Sequence, residues 1–202
     1  PSAEQVNLDL AECRVRLGQH REALTHYNLA GNSSRALFGK ATVLQHLGMF
    51  GDAHTLFLSL IEKDRDFLNN SAESRYAVGE NYRLMGKTAD AMIYLNTVQE
   101  PGLRERAALG LGLIDVREHR YDSALKYFDR ARESTEAPVR RQALIASAEA
   151  LRKAGKAKEA VEVLLEIKRE HPYSREYDYA LLELAKLYRS EGKRNDAVAL
   201  LR

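Results

Sequence analysis

Small and apolar residues recur along this chain in one fixed figure. In Leu151 to Leu164, written LRKAGKAKEAVEVL, Gly155 precedes Ala160 by five positions, an apolar Val161 follows, and Leu164 stands four beyond the Ala. The same figure returns as Gly18, Ala23, Leu24, Tyr27, then as Gly48, Ala53, Phe57, then as Gly86, Ala91, Met92, Leu95. A fourth copy has His119 in the Gly slot before Ala124, Leu125 and Phe128, and a last one reads Gly192, Ala197, Val198, Leu201. The Ala slot is Ala in all six copies. Ahead of Gly155, Ala143, Leu144, Ser147, Ala148 and Leu151 recur at helical spacing, and Ile167 extends the pattern behind it. Each copy therefore predicts two amphipathic helices with a bend between them.

The residue types explain the bend and the closeness of the two helices. A helix that stops and reverses commonly ends in a left-handed residue, which Gly enters without steric cost. His119 lacks that freedom, so the fourth corner is expected to be strained or differently shaped. Twelve residues before each Ala lies a second small slot, Ala11, Ala41, Gly79, Gly112, Ala148 or Ala185. Two small slots at one offset bring the helix backbones together once per unit, and a larger side chain there overpacks the contact at about 1 to 3 kcal/mol.

Punctuation agrees with this register. Pro101, Pro138 and Pro172 lie between the end of one unit and the start of the next, where a helix has to stop. Gly31 to Ser34 serves the first connector, and Lys63 to Asn70 forms a long, polar second one in which Phe67 and Leu68 cover a neighbouring helix end. Ser34, Ser71 and Ser174 are expected as helix caps. The units run approximately over 3–32, 33–70, 71–103, 104–138, 139–173 and 174–202, as a single array whose last member is cut short. With Pro1 at the start, the chain reads as a piece of a longer protein.

Composition narrows the function classes. Apolar residues make up 45% and charged residues 30%, and no apolar run approaches the roughly 18 residues a membrane span needs. A formal charge of +2 gives little pull on nucleic acid, which is disfavoured as a partner. The single Cys13 forms no internal disulfide and reads as a small apolar residue. His20, His26, His46, His54, His119 and His171 fall in different units or corners, with neither CxxC nor HExxH spacing, so no metal or other cofactor is expected. Carboxylate pairs such as Glu159 and Glu162 lie on outer faces, no phosphate loop follows a strand, and the chain reads as a non-enzyme.

Successive Ala slots are 30, 38, 33, 36 and 37 residues apart, close to the tetratricopeptide unit of about 34. With Val78-Gly79-Glu80-Asn81-Tyr82 and Leu184-Ala185 with Tyr188 as its best-matching stretches, the chain resembles a tetratricopeptide repeat array throughout. Asn7 and Arg14 depart from the family's apolar slots, and Trp is absent. The resemblance implies an all-α, right-handed α-solenoid of antiparallel helix pairs, about twelve helices in all, whose first helices line a concave groove for a partner peptide or protein surface. The family's carboxylate clamp would place its leading Lys at Leu8, Phe38, Tyr76, Leu109, Ile145 or Leu182, all apolar, so that binding mode does not carry over. His171 to Leu201 also resembles repeat units of bacterial cell-envelope proteins, which leaves cytoplasm and periplasm or cell envelope both open.

Those same six positions, with Leu113 and Arg83 further along their helices, define a groove-facing stripe. The stripe either receives a partner segment or is half covered by the next unit and completes packing. Arg83, Arg117 and Arg152, with Arg16, Lys153, Arg189 and His46, form a basic rim near the helix exits. That rim suits an acidic partner, or simply opposes the negative ends of the helix dipoles. Three functions follow: an interaction scaffold; a sensor or regulatory arm of a larger enzyme or transcription regulator; and a self-associating element using its exposed array ends.

Overall fold

The computed structural model describes residues 1–172 and 174–200, and all its regular structure is helical. Leu201 of the last copy and Tyr173 of the His171–Ser174 turn lie outside the described residues. The chain divides into two compact units, Pro1–Leu103 and Arg104–Arg202.

The first unit is built from three pairs: α1 (Ala3–Arg16) with α2 (His20–Leu29), α3 (Ser34–His46) with α4 (Phe50–Lys63), and α6 (Ala72–Leu84) with α7 (Thr88–Leu95). A short α5 (Arg65–Asn69) stands between the second and third pairs. The second unit holds α8 (Leu103–Arg117) with α9 (Tyr121–Arg132), α10 (Ala137–Lys153) with α11 (Ala157–Glu170), and α12 (Arg175–Ser190) with α13 (Arg194–Leu200). The pairs are those of an α-solenoid.

The small slots lie where the helices touch. Ala23, Ala53, Ala91, Ala124 and Ala160 are fully buried. Gly112 has no room for even a methyl group, since a Cβ there would stand 2.4 Å from the Phe128 ring, and at Gly79 it would stand 2.9 Å from Leu95. The large residue four beyond each Ala plugs the space so formed: Phe57, Leu95, Phe128 and Leu164 are at most 1% exposed. Burying a side chain of this size stabilises by about 1.5 to 3 kcal/mol.

All six corners share one hydrogen-bond pattern. At Gly155 the amide donates to Arg152 O (3.1 Å) and Lys156 N donates to Leu151 O (2.9 Å). At the fourth corner His119 N donates to Val116 O (3.2 Å) and Arg120 N to Asp115 O (2.8 Å), with His119 at φ 60°. The expectation of a different shape is corrected: His119 takes the glycine conformation itself. A brace accompanies it, because the Arg120 guanidinium grips buried Asp115 across the corner at 2.9 and 2.7 Å, and His119 Nδ1 lies 2.8 Å from the Tyr121 hydroxyl.

Three connector expectations also change. Ser33, not Ser34, caps α3, accepting from Ala36 N, while the Ser34 hydroxyl donates to Asp64 Oδ2 at 2.6 Å. Pro138 does not stop a helix but sits in the first turn of α10, where its missing N–H costs nothing. The long second connector is α5, capped by Asp64 accepting from Phe67 N at 3.0 Å, with Leu68 buried beside Phe57 and Val78. Ser71 and Ser174 cap α6 and α12 as expected.

Candidate protein-binding cleft

The first helices of the pairs carry the stripe residues, but unequally. Leu8 and Leu109 are only 4% and 8% exposed, spent on the cores around Ala23 and Ala124. Leu113 packs against the latter core and Ile145 against the one around Leu164, each half-buried. Tyr76 is half-buried on α6. Leu182 stands 48% exposed over a shallow groove of about 420 Å³ between α12 and α13, shared with Val198, Lys186 and Arg189. Among the basic residues, Arg83 is held by its own helix, donating to Glu80 at 2.7 and 2.6 Å. Arg152 lies 3.6 Å from Glu183, and Arg117 is exposed in the last turn of α8.

Phe38, like Leu182, is a stripe residue with a cavity in front of it, and its cavity is the larger of the two. A cleft of about 500 Å³ opens among α1, α3, α5 and α6 of the first unit. Its walls are Val15 of α1, Phe38 and Thr42 of α3, and Phe67 of α5, and its floor includes Tyr27. Gly39 makes the floor possible: a Cβ there would lie 2.2 Å from the Tyr27 ring, so the tyrosine of the second helix reaches through where α3 has no side chain. Phe67 meets Phe38 with ring centroids 5.8 Å apart and planes tilted by 56°. The volume falls within the range of about 300 to 1,000 Å³ typical of ligand sites.

Polar groups, Glu12, Arg16, Arg35, Glu73 and Ser74 among them, surround the aromatic walls. Arg35 is engaged by Glu12, at 2.8 Å from Nε, with Asp9 at 3.9 Å. Arg16 of α1 and Glu73 of α6 also line the cleft, exposed and without an ion pair among the described residues. The Tyr27 phenol is pushed above its ordinary value first by burial, then by the Glu12 carboxylate, with Arg35 opposing and Glu73 adding. Ser74 lines the wall fully buried, and its hydroxyl lacks a hydrogen-bond partner among the described residues.

A tetratricopeptide repeat model matches residues 109–175, and PilW, described as a widely conserved type IV pilus biogenesis factor, has the same fold across 99% of this chain and 91% of its own (TM-score 0.80, 18% identity). Residues 109–175 thus match tetratricopeptide repeats in sequence, and the chain as a whole is similar to proteins of that kind in fold. The repeats are similar in fold to PilF of Pseudomonas aeruginosa as well (TM-score 0.73, 16% identity, 98% of this chain and 88% of that one). YrrB, described as a tetratricopeptide repeat protein with an unusual peptide-binding site, is similar over 86% of this chain and 89% of its own (TM-score 0.64, 18% identity). No curated protein matches the chain.

Of the stripe expected in this repeat protein, only Phe38 lies in the cleft; the other walls had no signal in the six-copy register. Phe67 belongs to the inserted helix, and Tyr27, itself 5% exposed in the core around Ala23, occupies the same slot as the core plugs Phe57, Phe128 and Leu164. The spacing of 38 residues between Ala53 and Ala91, longest of the five, was the one trace of an insertion. No helix is long and apolar enough to cross a membrane, and no group of three metal-ligating side chains occurs among the described residues.

Proposed function

We propose that this protein is an interaction scaffold that holds an extended segment of a partner protein against α1, α3 and α6 of its first unit. The observation carrying the reading is the aromatic-walled cleft between Phe38, Phe67 and Tyr27. Extended segments bind by placing alternate side chains into such pockets, which supply specificity while the remaining contacts exclude water. The peptide-binding site named for YrrB supports the same use of the fold.

A photoreactive amino acid placed at Thr42, inside the cleft, tests this in cells. It should cross-link a defined partner, while the same group at exposed Leu58 on α4 should not. Equal cross-linking from the two positions, or none from Thr42, would remove the cleft from the interaction.

A further inference from the structure

We infer that the cleft takes one bulky apolar or aromatic anchor from a segment that carries an acidic residue on one side of it and a basic residue on the other. The inference rests on the scaffold reading above and specifies the partner's chemistry. Its first support is the wall composition. Val15, Phe38 and Phe67 offer half-buried apolar surface, and aromatic pairs in offset or edge geometry add about 0.5 to 1.5 kcal/mol to area burial alone.

The second support is charge. Arg35 is already taken by Glu12, which leaves Arg16 at the end of α1 and Glu73 on α6 as the charges a ligand can meet. One cation on α1 and one anion on α6 select a segment of opposite polarity, and rim charges of this kind act chiefly on specificity and orientation. A uniformly acidic or uniformly basic segment would meet one like charge.

The third is Ser74. In the other helices of this register after α1, the equivalent buried slot is Ala36, Ala107, Ala143 or Ala180, each at most 1% exposed. Packing therefore needs only a methyl group there, and the unpaired hydroxyl in the cleft wall is surplus to it. A buried polar group left unpaired costs about 1 to 3 kcal/mol, which a main-chain group of a bound extended segment would offset once the hydroxyl turned toward it.

Selection from a displayed library of random 12-residue peptides tests the inference. Peptides enriched on the wild-type chain should share a Phe, Tyr, Leu or Met anchor with opposite charges on its two flanks. They should bind Phe67→Ala at least tenfold more weakly, while that variant keeps the wild-type helical signal. The double variant Arg16→Glu with Glu73→Arg should enrich the same anchor with the order of charges inverted. Peptides indifferent to Phe67 would overturn the inference and leave the scaffold reading to the Thr42 cross-link. An anchor consensus without charge preference, or no enrichment at all, would overturn it too.

Discussion

The two units repeat one apolar register but stitch their helix pairs together with different polar chemistry. In the second unit charged pairs link successive pairs of helices: Arg132 of α9 reaches Glu166 of α11 at 2.6 and 2.7 Å, Arg141 of α10 meets Glu176 of α12 at 3.3 Å, and Lys156 meets Asp122 at 2.7 Å. The first unit has such a pair too, Arg35 of α3 with Glu12 of α1 at 2.6 Å, but adds neutral groups and histidines at its seams. Asn81 Nδ2 donates to Phe50 O at 3.2 Å, His20 stacks on His46 with centroids 4.9 Å apart, and His54 lies 3.0 Å from Lys87 Nζ. Exposed ion pairs each contribute only about 0 to 1 kcal/mol, so neither stitching sets the fold. What differs is the surface left open: the unit with the inserted α5 leaves an aromatic cleft, whereas its counterpart buries Leu109 and leaves Leu182 over an aliphatic groove.

The largest test of that contrast sets a sealed ring against an open one. Phe128→Ala removes a side chain with no exposed surface and should cost about 3 to 5 kcal/mol, lowering the thermal midpoint and raising amide exchange across the second unit. Phe67→Ala removes a half-buried ring from α5 and should cost under about 1 kcal/mol by chemical denaturation. Comparable losses would mean that the cleft aromatics serve packing alone.

Glycine substitutions sharpen the comparison. At Gly112 the new methyl would press on Phe128, which has nowhere to go, and overpacking should destabilise Gly112→Ala by about 1 to 3 kcal/mol. Gly39→Ala meets Tyr27 more closely still, at 2.2 Å, yet that ring borders an open cleft and can yield into it. The expected result is a smaller fall in stability and a larger fall in partner or peptide binding. Denaturant titrations of both variants, with binding measured on Gly39→Ala, distinguish the two responses.

Period and small-residue spacing made the helix pairs readable from the sequence, because Ala and Gly at fixed offsets have one packing explanation. The cleft was not readable for the converse reason. Phe67 departs from the register, and no periodicity distinguishes a ring that covers a helix end from one that walls a pocket. Tyr27 follows the register so closely that only its partner Gly39, a third small residue in α3, marks its different role. Leu8 and Leu109 illustrate the opposite trap: the stripe geometry is the same as at Phe38, but neighbouring side chains cover them.

Corners provide a gentler comparison. Five have Gly at φ between 71° and 79°, while His119 holds φ 60° with a Cβ. A left-handed non-Gly residue costs roughly 1 to 2 kcal/mol, and Gly recovers this less its own unfolded-state entropy of about 0.4 to 1 kcal/mol. His119→Gly should therefore stabilise the second unit by about 0.5 to 1 kcal/mol, and Gly155→Ala should destabilise the next corner by a similar or larger amount. Thermal melts of both variants check the pair. An unstable His119→Gly would show that the contact with Tyr121 outweighs the backbone strain.

Acid supplies the smallest effect and probes the first unit's seams. Burial depresses His46 below the ordinary imidazole value of 6.5, and the His20 ring stacked on it adds to the shift. His54 is depressed likewise, by burial first and then by Lys87, with Asp90 opposing. A depressed histidine binds fewer protons folded than unfolded, so its contribution is complete above pH 6.5 and is lost as the pH falls through 6.5 toward the lower folded value. Stability should decline modestly from pH 7.5 to 5.5, before most carboxylates titrate. His46→Gln should flatten part of that slope by removing one of the titrating rings. An unchanged slope in this variant would mean that the stacked pair plays no part in holding α2 to α3.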